Sequence, residues 1–135
     1  MNQARFFEEK GSLLFSRGQV HGTTHLSMGQ EGSAVGACLA LDEGDLVSLT
    51  HRGHSQAIGF GLDVRLMMAE FLGKETGYCK GKGGSMHIAD LKSGNIGANG
   101  VVGGGYPTVL RRGLDPEIQK NRQNCALLCR RRINQ

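Results

Sequence analysis

The sequence predicts an α/β protein built on a buried parallel sheet. Segments with helical patterning alternate with a segment of strand length. The strand candidate, residues 46–49 (LVSL), has the length and composition of a strand covered on both faces. The third observation is the stretch 77–105, glycine-rich and without helical or strand period, of a length at which loops are either functional or disordered.

Residues 5–17 place Phe6, Leu13, Leu14 and Phe15 among charged positions. This is the pattern of an amphipathic helix that docks on something larger, with Gly18 as its stop. After HGTTHLSMGQEG, residues 33–41 (SAVGACLAL) form a small-residue helix in which Ala34, Gly36 and Ala37 allow a neighbouring backbone to come close. Asp42, Glu43, Gly44 and Asp45 signal a turn. The strand that follows delivers Thr50, His51, Arg52, Gly53 and His54 at its carboxyl end, the edge where open α/β sheets hold ligands. Asp63 is placed to cap a helix reaching Leu72, with Met67, Met68, Phe71 and Leu72 apolar and Gly73 as the stop. Within the glycine-rich stretch, Val101 and Val102 are the only β-like pair.

A chain of 135 residues holds one domain at most and is long enough to bury a core. Its 22 glycines and 5% aromatics lower the apolar area available and add backbone entropy, which weakens the case for independent stability. The net charge of +4 is uneven: residues 1–107 carry 9 Lys and Arg against 10 Asp and Glu, residues 108–135 carry 7 against 2. A nucleic-acid surface would rest on the tail alone, without a helix-turn-helix, RNP or zinc-finger pattern, so no nucleic-acid partner is expected. There is no apolar run of about eighteen residues, and the polar start carries Glu8 and Glu9. The expectation is therefore a cytoplasmic chain with no membrane partner. Cys38 and Cys79 stand alone, and Cys125 with Cys129 lacks a second ligand pair, so free thiols and no metal site are expected.

Four of the five histidines form two pairs, His21 with His25 and His51 with His54, neither with a third ligand at zinc spacing. HRGH sets a fixed cation, Arg52, between two imidazoles at a strand end. That suits a phosphate or a developing negative charge; a strand cap bonded to backbone carbonyls is the competing reading. GKGGSMH departs from GxxxxGK[ST], and its Lys80 and Lys82 either meet an anion together with free backbone N–H groups or bind nothing. GANGVVGGGYP removes side chains where a flat ligand can lie against the backbone, or else is a linker. Met67, Met68, Phe6 and Phe7 read as core or interface.

Taken together, HGTTHLSMGQEGSAVG, SLTHRGHSQAIGFGLDVRLMMAEFLGKETGYCKGKGGSMHIAD and GNIGANGVVGGGYP resemble, in order and spacing, the α subunit of thiamine-diphosphate-dependent 2-oxo acid dehydrogenase complexes, above all the acetoin dehydrogenase branch. The resemblance runs from Arg5 to Pro107. It implies a partial thiamine-diphosphate-binding fold, an incomplete parallel sheet flanked by helices. It implies thiamine diphosphate as cofactor, with Mg2+ beside it in intact relatives, at an interface between α and β chains. By the same resemblance His51 and Arg52 reach the diphosphate, Gly100 and Val102 offer backbone groups to the aminopyrimidine, and His25 lines the substrate side, with His54 counted beside it as catalytic. Gln30 and Glu31 order the pocket from behind, and Ser85 and His87 belong to a loop nearby. His51 stands where many relatives carry Tyr. The implied reaction cleaves acetoin, or decarboxylates pyruvate, and passes a two-carbon unit to a lipoyl group. Implied partners are the β subunit, the lipoyl-bearing acyltransferase component and the small-molecule substrate.

From Thr108 onward TVLRRGLDPEIQKNRQNCALLCRRRINQ departs from the family, where a helix, a strand and a metal-holding GDG-x-x-N motif follow. Permitted codons for NCALLCRRRINQ, read one base on, spell IALCFAGDGST followed by an incomplete Asn codon, the missing strand and motif. The expectation is a one-base slip near Thr108, with residues 1–107 as the family domain and 108–135 as an out-of-frame, disordered tail without metal ligands. The alternative is a catalytically inactive relic or fragment.

Overall fold

The computed structural model describes residues 1–20, 22–115, 120 and 125–128. Its sheet has three parallel strands: β1 (Leu46–Thr50) lies between β2 (Asn95–Asn99) and β3 (Cys125–Leu128). Helices α1 (Asn2–Ser16) and α2 (Glu31–Leu39) precede β1, α3 (His54–Gly59) and α4 (Val64–Phe71) follow it, and α5 (Gly105–Gly113) joins β2 to β3. The α/β expectation holds: parallel neighbours need long crossovers, and helices supply them.

As the central strand, β1 buries Val47, Ser48 and Leu49 together, so an apolar run rather than an alternating one specifies it. Val47 and Leu49 join Phe7, Leu14, Ala57, Leu62, Met67, Phe71 and Ile88 in one core. Each large apolar side chain buried there contributes roughly 1.5–3 kcal/mol.

Helix α1 docks through Ala4, Phe7, Glu8, Gly11 and Leu14, a stripe at helical spacing. Phe6 and Phe15, which the sequence pattern groups with the apolar face, are exposed. The buried stripe instead includes a carboxylate with a buried partner and a glycine. A Cβ at Gly11 would lie 3.1 Å from the Phe71 ring, so the missing side chain lets α1 close on α4. Gly18, at φ +68°, ends the helix as expected. In α2 the small-residue expectation holds at Ala34, which is buried, and not at Gly36. Gly36 faces open space, and Gly59 of α3 is the glycine pressed against Val35 and Cys38. Asp63 caps α4 by accepting the Arg65 N–H at 2.7 Å, and Gly73 stops it at φ +66°.

Strand β2 runs through the stretch where the pattern predicts none. NIGAN has little β propensity, and the parallel ladder with β1 makes it a strand: Ser48 is opposite Gly97, Leu49 opposite Ala98 and Thr50 opposite Asn99. Val101 and Val102 lie beyond it in a turn, 71% and 81% exposed. Helix α5 crosses the Pro107–Thr108 boundary, and a Cβ at its buried Gly105 would lie 2.6 Å from Leu127 Cδ1 and 3.3 Å from Ser48 Oγ. The described part of the segment after Pro107 thus contains a helix and a strand, where disorder is expected from the sequence. Cys129 and the residues beyond it lie outside the described residues, as does His21. Among the described residues no helix is long and apolar enough to cross a membrane, and Cys38, Cys79 and Cys125 are free.

Candidate functional site

The register of β1 and β2 brings two predicted segments to one edge. Thr50 pairs with Asn99, so His51 and Arg52 leave the sheet beside Gly100. The loop containing His25 comes in from before α2, and the His25 and His51 rings meet edge to face, with centroids 4.9 Å apart at 82°. Both Nδ1 atoms are buried without a hydrogen-bond partner among the described residues. Burial, then His25, then Arg52 push the His51 pKa down, which favours its neutral form. Among the described residues the Arg52 guanidinium is held by one bond, Nη1 donating to the Leu26 carbonyl at 2.6 Å. A guanidinium has five N–H donors in a planar fork, so the side chain is aimed while donors remain for an anion.

The turn that carries these residues needs a glycine. A Cβ at Gly53 would lie 2.8 Å from Leu49 Cβ and 2.9 Å from the Thr50 carbonyl oxygen, so the chain folds back from β1 into α3 only because that atom is absent.

His54, the first residue of α3, points the other way. It is 1% exposed, packed between Phe7 and Phe71, and both ring nitrogens are engaged. Nε2 lies 2.9 Å from the Ser85 carbonyl oxygen and 3.1 Å from Ser85 Oγ. A carbonyl only accepts, so Nε2 carries a proton. Nδ1 lies 2.9 Å from Glu8 Oε1, which also accepts from Ser27 Oγ at 2.6 Å, and Ser27 is bonded to Ser55 at 2.8 Å. This buried network ties α1, α3 and the Gly84–Met86 turn together. His54, expected among the catalytic residues, is thus buried with both ring nitrogens engaged.

The GKGGSMH loop is shaped by a carboxylate the sequence reading does not single out. Glu70, fully buried on α4, accepts the backbone N–H groups of Cys79, Gly81, Gly83 and Gly84 at 2.7–3.1 Å. Those are the N–H groups a phosphate would use, so the loop's anion is its own glutamate. Tight passage demands the glycines: a Cβ at Gly77 would lie 2.5 Å from Glu70 Oε2, and one at Gly81 2.5 Å from the Gly73 backbone. Charge patterning gives no hint of this role. Glu70 reads as one more polar position on an amphipathic helix.

Glu31 and Gln30 stand at the start of α2. Arg5 donates to both Glu31 carboxylate oxygens, at 2.6 and 3.1 Å, and the Gly29 N–H to one of them. Foremost the Arg5 hydrogen bond, and then backbone donors, hold the Glu31 pKa down at about 2. Val102 is exposed, in the turn beyond β2. Among the described residues no group of three or more His, Cys, Asp or Glu is arranged to hold a metal ion. The edge brings a guanidinium and two imidazoles together.

The sequence pattern that defines the dehydrogenase E1 component family matches residues 1–129. The α subunit of acetoin:2,6-dichlorophenolindophenol oxidoreductase from Bacillus subtilis (strain 168) is 55% identical over 106 residues, 78% of this chain and 32% of that protein. The subunit of the same name from Cupriavidus necator is 48% identical over 109 residues, 81% of this chain and 33% of that one. The α subunit of the pyruvate dehydrogenase E1 component from Rhizobium meliloti (strain 1021) is 43% identical over 99 residues, covering 73% and 28%. The chain thus spans about a third of the length of these relatives.

Proposed function

Because the chain belongs to the dehydrogenase E1 component family, we propose that it supplies the diphosphate-receiving part of a thiamine-diphosphate-dependent α subunit. The enzyme of this reading cleaves acetoin, or decarboxylates pyruvate, and passes the two-carbon unit to a lipoyl group. Its partners are a β subunit, which completes the site, and a lipoyl-bearing acyltransferase. The observation that carries the reading is the carboxyl edge, where the aimed Arg52 guanidinium stands with two imidazoles whose Nδ1 atoms lack partners among the described residues. Arg52 and His51 hold the diphosphate, Gly100 and Val102 present backbone groups to the aminopyrimidine, and His25 faces the substrate. His54 acts from behind, by fixing the turn that leads to His87. When bound, thiamine diphosphate supplies the electron sink for breaking the carbon–carbon bond.

Calorimetry tests the diphosphate assignment. Arg52→Ala is expected to weaken thiamine diphosphate binding about tenfold or more, the loss of a charge-assisted hydrogen bond. An unchanged affinity sinks the assignment. Dye-linked oxidation of acetoin and of pyruvate, with a β subunit present, separates the two substrates.

A second reading is an inactive relic or fragment of such a subunit. It expects the chain to bind thiamine diphosphate with Mg2+ more weakly than micromolar, and micromolar binding removes it. The one-base slip near Thr108 is part of the first reading. The encoding DNA decides it, since a neighbouring frame without GDG-x-x-N ends the idea.

A further inference from the structure

His87 follows the Gly84–Met86 turn, a segment pinned from two sides. Glu70 accepts the N–H groups of Gly83 and Gly84, and His54 donates to Ser85. The residue they deliver is held in turn: Cys79 Sγ donates to the His87 carbonyl at 3.3 Å, and the His87 ring Nδ1 lies 3.2 Å from the Ala98 carbonyl oxygen of β2. A carbonyl only accepts, so in the neutral ring Nδ1 carries the hydrogen and Nε2 carries the lone pair. The ring lies against Gly100, where an added Cβ would be 3.2 Å from His87 Cε1 and 3.6 Å from Nε2. A side chain at position 100 would thus meet the imidazole, and His87 itself is exposed. Buried supports fix an accessible hydrogen-bond acceptor beside the backbone that follows β2.

We propose that His87 is a ligand-contacting residue of the carboxyl-edge site, its Nε2 accepting a hydrogen bond from an N–H or O–H group of the molecule seated over Gly100. This rests on the site reading given above. Two donors have that chemistry: the amino group of the cofactor's pyrimidine and the hydroxyl group of acetoin.

Nitrogen-15 spectra of the histidine-labelled 135-residue chain test the inference without any assay of activity. In the free chain His87 Nδ1 is expected to be protonated and Nε2 not; the opposite tautomer overturns the inference at once. Thiamine diphosphate with Mg2+ is then added to millimolar concentration, so that weak binding is read, followed by acetoin. A shift of His87 Nε2 with thiamine diphosphate, absent with oxythiamine diphosphate in which oxygen replaces the amino group, identifies the cofactor as donor. A shift that waits for acetoin identifies the substrate. His87→Phe keeps a ring against Gly100 without the acceptor, and is expected to weaken the responsible ligand about fivefold. If His51 responds to thiamine diphosphate while His87 Nε2 responds to neither ligand, the inference fails and the site reading stands. If no histidine responds, with or without a β subunit, the site reading fails and takes the inference with it.

Discussion

His51 and His54 are three residues apart and have opposite fates. His51 remains at the edge beside Arg52 and His25, and these neighbours with burial hold its pKa down. As pH falls below about 6.5 the unfolded chain takes up a proton at His51 that the folded chain resists, so stability declines on the acid side. Arg52→Ala removes one of the opposing charges and is expected to raise the His51 pKa, visible as a later-titrating imidazole by NMR. His54 is committed to the interior. His54→Ala leaves Ser27 as the remaining partner of the buried Glu8 and empties the space between Phe7 and Phe71, and should cost about 2 kcal/mol or more in urea unfolding. A loss below 1 kcal/mol would contradict the network. The spacing HRGH announces both histidines equally, because a string of residues does not say which side of a turn each faces.

Among the elements, α1, α2, β1 and α4 were legible within a few residues, since each carries its own apolar period or cap. Helix α3 and strand β2 were not. α3 is six residues long and is stabilised by Gly53 and by what His54 and Ser55 meet inside, and β2 exists through pairing with a strand 49 residues away. The 77–84 loop shows the same dependence. Glu70→Ala removes the acceptor for four backbone N–H groups at once, and about 3 kcal/mol or more of stability is expected to go with it. Protease sensitivity between Gly77 and Gly84 should rise in parallel. At the opposite side, Arg5 tethers α1 to α2 through Glu31. The Glu31 pKa falls from 4.5 to about 2 on folding, so the pair's contribution is complete above pH 4.5 and disappears as pH falls to 2. Arg5→Gln is expected to lower stability near pH 6, with the difference from the parent chain shrinking between pH 5 and pH 2. A difference that stays constant over that range contradicts the assignment.

At the scale of the molecule, one core is surrounded by a good deal of apolar surface. Phe6, Leu39, Val102, Leu110 and Leu114 are each more than 60% exposed. The chain alone is expected to associate beyond monomer mass in sedimentation velocity, and Val102→Glu with Leu110→Glu to reduce that association. A clean monomer for the parent chain would show that this surface needs no cover. The sequence by itself determined the α/β class, the central strand, the capped helix after it and the family, because periodicity, caps and linked motifs are local and survive without knowledge of contacts. Only the tertiary structure decided that Glu70 fills the glycine loop, that His54 is interior, and that His25, His51, Arg52, His87 and Gly100 gather at the strand ends. Those outcomes depend on register between distant segments and on which buried polar group finds a partner. Both are properties of pairs of residues that no single segment contains.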